Sequence, residues 1–394
     1  MNRRDFVIKS GLASVALGTS TYALGNVLGA NDTVNIGIIG TGDRGSGLIP
    51  NINNIENFNV VGCCDILPFR LENGLSKVKG KALAYSDYRK LLDNKNIDAI
   101  LVATPFNTHS KIAIDALDAG KHVYCEKTMA KDHSGIRNLV NKVKSSKAIF
   151  QTGHQYHSSR LYSHVVELLK NGEIGKIQAF ECQWNRNGNW RRPVPKPELE
   201  KIINWRMYRE FSGGLVAELC SHQMDFVNWV LDATPNKVIG TGGVDYWKDG
   251  RETYDNIRLI YNYPNGVKAQ FSCLTSNANE GYQIKVLGDK GTIVLSYSEA
   301  WFRPENNYVK ELGNVDGVSG ATMTWDKDSK GIPIKVEHIE PSEQALMDFR
   351  MNIIDNKMPL SNIVTGANAA TCVQMGLDAM YNETTAFWKP EYNV

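Results

Sequence analysis

The chain has 394 residues, of which 42% are hydrophobic and 22% charged, and its formal net charge is +2 at pH 7. That length allows two domains with real cores, and the composition is that of an ordinary globular protein. Near-balanced charge without a long basic run argues against nucleic acid or an anionic membrane surface as partner.

The first thirty residues differ from the rest. Arg3 and Arg4 precede Asp5 and Phe6, and a weakly apolar stretch runs from Gly11 to Leu28, followed by Gly29 and Ala30. A charged start, a short apolar run and a small-residue exit read as an export signal over residues 1–30, removed near residue 30, rather than a membrane span. The arginine pair predicts the twin-arginine route, which carries folded proteins, and hence a periplasmic location. The seven cysteines are odd in number, irregularly spaced and lack a Cys-x-x-Cys pair. Neither a disulfide framework nor a metal site is expected from them.

Strand and helix signals then alternate. Val34, Ile36, Ile38 and Ile39 form a short β-branched run that leads directly into Gly40-Thr41-Gly42-Asp43-Arg44-Gly45. A helical stretch through Leu48 and Ile52 follows, and a second strand, Phe58 to Cys64, ends on Asp65. This is a βαβ unit with the dinucleotide fingerprint in place. Gly40 permits the tight turn, Gly42 lets the backbone approach a diphosphate, and Gly45 allows close packing of helix on strand. Asp43 and Arg44 belong to the same turn, whose helix N-terminus offers free amides to the phosphates. Asp65 is placed to accept the adenosine ribose hydroxyls and to repel a 2′-phosphate, so NAD is expected in preference to NADP.

Ala99 to Ala103 reads as a buried strand that ends at Thr104-Pro105, the start of a cofactor-facing loop. Helix (His109 to Ala119), strand (His122 to Cys125, closing on Glu126-Lys127-Thr128), helix (Ile136 to Val143) and strand (Ala148 to Phe150) complete the alternation. Repeated βα units predict an α/β fold, a doubly wound parallel sheet over residues 31–153.

Residues 154–394 read as a second, α+β domain. Candidate strands are Ile177 to Trp184, Lys237 to Gly242, Asn256 to Tyr263, Val267 to Thr275, Gln283 to Leu287 and Gly291 to Leu295. Hairpin signals join several of them, which predicts a large, mostly antiparallel sheet with one face covered by helices. The other face would be free for assembly into a homodimer or homotetramer. One helix, Gly214 to Trp229, places Glu218, His222 and Asp225 at i, i+4 and i+7 in one polar stripe. Two polar-aromatic loops contribute Asn185, Trp190 and Arg191, and Trp205 and Tyr208. They either line a substrate pocket or form rigid surface and subunit contacts. His154 and His157, at the domain junction, either lie above a nicotinamide or are structural.

The chain resembles the glucose–fructose oxidoreductase/inositol dehydrogenase (Gfo/Idh/MocA) family. The resemblance rests on Glu126-Lys127-Thr128 after the fifth strand of a nucleotide fold and on Asn171 to Ile177 at the second-domain entry. It rests also on Ser212-Gly213-Gly214 with Glu218 and His222, and on the turn Gly288 to Ile293. It implies that Lys127 lies by the nicotinamide ribose and the reacting hydroxyl. It implies that His222 carries the proton, with a carboxylate four residues earlier and C-terminal helices packed back on the nucleotide domain. Glu218 stands where many members carry Asp. Thr128 replaces a proline that is commonly cis, which leaves the backbone path beside Lys127 open.

The expected activity is NAD(P)-dependent oxidation of a sugar or sugar-derived hydroxyl. A neutral imidazole suits the proton that must leave with the hydride, and Glu218 would orient it or raise its basicity. Lys127 would stabilise the developing alkoxide. An exported enzyme has no free NAD pool, so NAD(H) is expected to be tightly held in a redox-neutral cycle. The alternative is an NAD-dependent glycoside hydrolase or lyase that oxidises its sugar transiently, and Lys127 argues against the classical version. A non-catalytic sugar-binding protein is the third reading.

Overall fold

The computed structural model describes residues 32–305 and 331–394. The expected export segment lies outside the described residues. The N-terminal domain is a six-stranded sheet in the order β3-β2-β1-β4-β5-β6. Its strands are β1 (Val34–Ile39), β2 (Phe58–Cys64), β3 (Leu83–Tyr85), β4 (Ala99–Val102), β5 (His122–Cys125) and β6 (Phe150–Thr152). Every pairing is parallel. Four fully buried residues fill β4, as a strand covered on both faces requires. The order reverses at β1, so the C-terminal ends of β1 and β4 open a crevice there, the usual seat of a ligand in such sheets.

The second sheet has nine strands. At its centre β7 (Ile177–Asn187) pairs in parallel with β10 (Lys268–Leu274) and antiparallel with β11 (Ser276–Gly288). The other pairings are antiparallel. The strand β11 is much longer than the sequence pattern indicates. Its first half is exposed and polar and gives no side-chain alternation, and only Ser276 and Asn277 of it pair with β7 before the register shifts at Tyr282.

The helix α1 (Pro341–Asp355) returns to the first domain, where Leu346 and Phe349 join Ile36, Ile38 and Tyr124 in one core. The helix α2 (Ile363–Tyr381) spans both domains. Ile363, Ala367 and Ala370 pack under the parallel sheet, while Cys372, Val373 and Met375 belong to the core of the nine-stranded sheet. At Gly366 a Cβ would lie 2.3 Å from the Thr152 side chain, so a glycine is needed where α2 meets β6. The two domains thereby face each other across a fixed cleft.

Candidate active site

The phosphate end is built by the turn after β1. Gly40 has φ +90, and a Cβ on Gly45 would stand 1.9 Å from the Gly40 carbonyl oxygen. The helix α3 (Asp43–Asn54) begins there with Gly42 as N-cap and no side-chain cap, which leaves its first amides for a ligand. Asp65 accepts from the Thr41 amide on Oδ2 and the Leu67 amide on Oδ1, both at 2.9 Å. Burial pushes its pKa up against those amides and the nearby Arg70. Free helix amides, a backbone stripped of Cβ atoms and a carboxylate at the end of β2 together fit a dinucleotide.

Two residues of the turn, Asp43 and Arg44, line the cleft and also pair with other elements. Asp43 is exposed and pairs with Arg192 of the second domain at 2.8 Å. Arg44 donates to Glu126 at 2.6 Å and to Ser342 at 3.2 Å, so it ties the turn to the end of β5 and to α1.

The reactive end lies where the loop after β4 meets the segment after β5. Thr104 and Pro105 lead into helix α4 (Phe106–Asp118). In its first turn the buried His109 sits between the Thr128 carbonyl (2.9 Å) and the Thr104 carbonyl (2.7 Å), which fixes both loops. The Lys127–Thr128 peptide is cis, and Lys127 points into the cleft. Its ammonium donates to the carbonyl oxygen of Glu218 at 2.7 Å and more weakly to that of Ala217 at 3.4 Å. Burial pulls its pKa down, opposed by Glu218 and Glu126.

Those carbonyls come from a π turn, Val216–Cys220, which precedes helix α5 (Ser221–Leu231). The regular helix expected over Gly214 to Trp229 is therefore interrupted. The wider turn breaks the i, i+4 stripe and leaves carbonyls for a side chain to use. Glu218, His222 and Asp225 part company. The Glu218 carboxylate lies 3.1 Å from Arg206 Nε, and Asp225 pairs with buried His157 at 2.9 Å. The expected orientation of His222 by Glu218 is not realised. Tyr156, Trp184 and His154 surround the His222 ring instead. Burial first, then the positive charges of Lys127 and Arg44, hold its pKa well below the ordinary value, so the ring is neutral at pH 7.

A single cavity of about 770 Å³ joins the two ends. It runs from Asp65 and Arg70 past Gly40, Gly42 and Arg44 to Thr104, Pro105, Lys127, Glu218 and His222. Of the two polar-aromatic loops, Trp205 lines it, edge-on to Phe106 with ring centres 5.1 Å apart. The other loop residues expected there are not among its lining. Asn185 donates to the Asn279 carbonyl, and Trp190 packs on the second core beneath Arg186. Arg191 pairs with Asp249 and Glu200, and Tyr208 donates to Glu200. His157 stacks on Trp229. Arg191 and Tyr208 thus share Glu200 as partner, which ties their two loops to each other. His154 is buried behind His222. Arg206, in the second polar-aromatic loop, lines the cavity beside Trp205, and sequence reasoning missed Phe106, His109 and Gln155 at the site. The one available signal was a histidine in the first helical turn after Thr104-Pro105.

Comparison with known proteins agrees with this geometry. A family model described as "Oxidoreductase family, NAD-binding Rossmann fold" matches residues 34–154, and "GFO/IDH/MocA C-terminal domain" matches residues 162–294. The chain belongs to the Gfo/Idh/MocA oxidoreductase family. It is 27% identical over 264 residues to myo-inositol 2-dehydrogenase of Thermotoga maritima, covering 66% of this chain and 74% of that protein. It is also 27% identical over 269 residues to 2,7-anhydro-N-acetylneuraminate hydratase of Escherichia coli, covering 68% of each. The structure of levoglucosan dehydrogenase in complex with NADH and levoglucosan shares the fold, with a TM-score of 0.71 and 18% identity. That match covers 90% of this chain and 99% of the other. As a member of the family the protein is an NAD-binding oxidoreductase, and the fold expected from its βα pattern and hairpins is the one observed.

Proposed function

We propose that the protein oxidises a secondary hydroxyl of a sugar or cyclitol, with NAD preferred over NADP. The observation that carries this reading is one cavity in which the dinucleotide cradle ends at a buried lysine and a neutral histidine. Bound nicotinamide would supply the hydride acceptor. Gly40, Gly42, Gly45 and the α3 amides would hold the diphosphate, and Asp65 the adenosine ribose. Lys127, fixed by two carbonyls, would donate to the reacting oxygen while His222 takes its proton. Trp205 and Phe106 offer apolar faces to a sugar ring. Inositol and levoglucosan dehydrogenases among the relatives support the substrate class.

Tight retention of the nucleotide is part of the proposal. Arg192 spans the cleft to Asp43, and its own backbone is clamped by buried Asn204, which donates to its carbonyl at 2.9 Å and accepts from its amide at 2.6 Å. With the expected twin-arginine signal, a cofactor held through export would turn over in a redox-neutral cycle. The hydratase relative favours a second reading, in which the substrate is oxidised, loses a group or gains water, and is reduced again. The open face of the nine-stranded sheet, where Ile239 and Ile260 pair side by side and remain exposed, supports assembly into a homodimer or homotetramer. Denaturing the purified mature protein and identifying the released nucleotide tests the cofactor, and extensive dialysis followed by assay without added nucleotide tests the cycle. Sustained turnover is expected. A single burst restored only by free NAD would contradict retention.

A further inference from the structure

His222 presents its ring to the cavity, but its Nδ1 is buried without a hydrogen-bond partner among the described residues. For Nε2 to take a proton, Nδ1 must carry the ring hydrogen. A buried N–H with no acceptor is costly, so an unsupported ring would prefer the Nε2–H tautomer, a donor toward the cavity and the wrong form for a base. Glu218 does not help, because Arg206 holds it.

The neighbouring ring of His154 does offer a nitrogen. It stands edge-on to His222 with centres 5.8 Å apart, and its Nε2 is likewise buried and unpartnered. Its Nδ1 lies 3.3 Å from Thr152 Oγ1, which lies 2.6 Å from Ser361 Oγ. Ser361 Oγ in turn donates to the Thr152 carbonyl at 3.1 Å. That carbonyl sets the direction of the whole chain, because it only accepts. Ser361 spends its hydrogen on it, so the Ser361 oxygen accepts from Thr152. The Thr152 oxygen then accepts from His154 Nδ1–H. His154 is left with a bare Nε2, a buried acceptor in the ring next to His222.

We propose that His154 is the positioning residue for His222: its bare Nε2 accepts the Nδ1–H of His222 through one bridging water and so keeps Nε2 of His222 open toward the substrate. A single water satisfies both nitrogens and bridges as well as a direct bond. When Nε2 takes the hydroxyl proton, the ring becomes an imidazolium, keeps its Nδ1–H bond and passes no proton to His154. The charged groups around the pair are Glu126 and Lys127 after β5, Arg44 on α3, and Asp225 of α5 with His157. Lys127 and Arg44 oppose protonation of His222, while Asp225 favours it on His154 against burial. The proposal rests on the sugar-oxidoreductase reading only for the source of the proton.

The test is the tautomer itself, read from ring ¹⁵N shifts of the NAD⁺-loaded protein labelled at histidine, with His222 assigned by a His222→Gln variant. The expected state is Nδ1–H with an unprotonated Nε2 on His222, and the same on His154. His154→Leu should flip His222 to Nε2–H, lower its titration midpoint and lower turnover on a sugar substrate by about tenfold, within the range of proton-transfer effects. His154→Gln, which keeps an acceptor, should restore the tautomer in part. Ser361→Ala, remote from the cavity, frees the Thr152 hydroxyl to donate to His154 Nδ1, and should invert both rings even if His154→Leu fails to fold. An Nε2–H tautomer at His222 in the unaltered protein, or one that neither variant moves, would overturn the proposal. A correct tautomer in a protein that oxidises no sugar would instead defeat the substrate reading.

Discussion

Gly45→Ala isolates the nucleotide cradle from everything else in the protein. A Cβ there would meet the Gly40 carbonyl oxygen at 1.9 Å, the Gly40 carbonyl carbon at 3.0 Å and the Ala103 Cβ at 3.3 Å. None of these is the free end of a flexible side chain, so either the turn or α3 must move by more than an ångström. Overpacking of this kind costs about 1–3 kcal/mol. Better helix propensity of alanine returns at most about 1 kcal/mol. The movement falls on the amides that would hold the diphosphate. We expect NADH affinity to drop by about tenfold or more, equivalent to about 1.4 kcal/mol, and the unfolding midpoint to fall by a few degrees. Gly47, two residues further along α3, has nothing within 4 Å of its Cβ position. Gly47→Ala should therefore keep the affinity and match or slightly exceed the parent stability. Titration of NADH fluorescence and thermal unfolding read both effects. Gly45→Ala with parental affinity, or Gly47→Ala as damaging as Gly45→Ala, would refute the reasoning.

Asp65→Ala removes the acceptor of the Thr41 and Leu67 amides and the charge that disfavours a 2′-phosphate; it should weaken NAD and narrow its advantage over NADP, and competitive titration of the two nucleotides checks this. Arg206→Ala leaves the largely buried Glu218 carboxylate without its ion-pair partner, at a cost of about 1–3 kcal/mol. The double variant with Glu218→Gln should recover part of that loss, and denaturant unfolding of all three distinguishes a pair from two independent sites. Stability should also fall in mild acid. Burial holds His109, His154 and His222 below their unfolded value, so as pH drops through about 6.5 the unfolded chain gains protons that the folded rings refuse. Each such ring then contributes up to about 1.4 kcal/mol of lost stability per pH unit. His109→Gln should flatten that slope in denaturant titrations from about pH 7.5 to about pH 5.5, and an unchanged slope would refute the assignment.

Much of the first domain was legible because its signals are local. The β-branched run into Gly40, the glycine spacing and Asp65 at the end of the next strand each follow from backbone sterics over a few residues. Lys127 and His222 were legible as chemistry-bearing types in their element context, and the fold brings them to one cavity. The π turn at Val216–Cys220 was not legible. Nothing in Val-Ala-Glu-Leu-Cys opposes a regular helix, and its carbonyls are turned to use by Lys127 from the other domain. The partners of Glu218, Asp225, Arg191 and Tyr208 were hidden for the same reason: each is chosen by tertiary placement, and a sequence shows charge without showing direction. Short strands at or next to the sheet edge, such as β13 (Ala300–Pro304) and β14 (Ile332–Ile334), carry too few residues for alternation to register.

The central claim is that Lys127 and His222 serve hydride removal from a sugar hydroxyl in the nucleotide cavity. The most direct measurement is a single-turnover assay of the NAD⁺-loaded protein against cyclitols and sugars, myo-inositol and levoglucosan among them, following the near-ultraviolet absorbance of reduced nicotinamide. We predict that at least one polyol reduces the bound nucleotide, and that His222→Ala retains the nucleotide but slows reduction by about 10² or more, the usual scale for loss of an acid–base group. Reduction at the parental rate in His222→Ala, or no reduction by any polyol in protein shown to hold NAD⁺, would contradict the account.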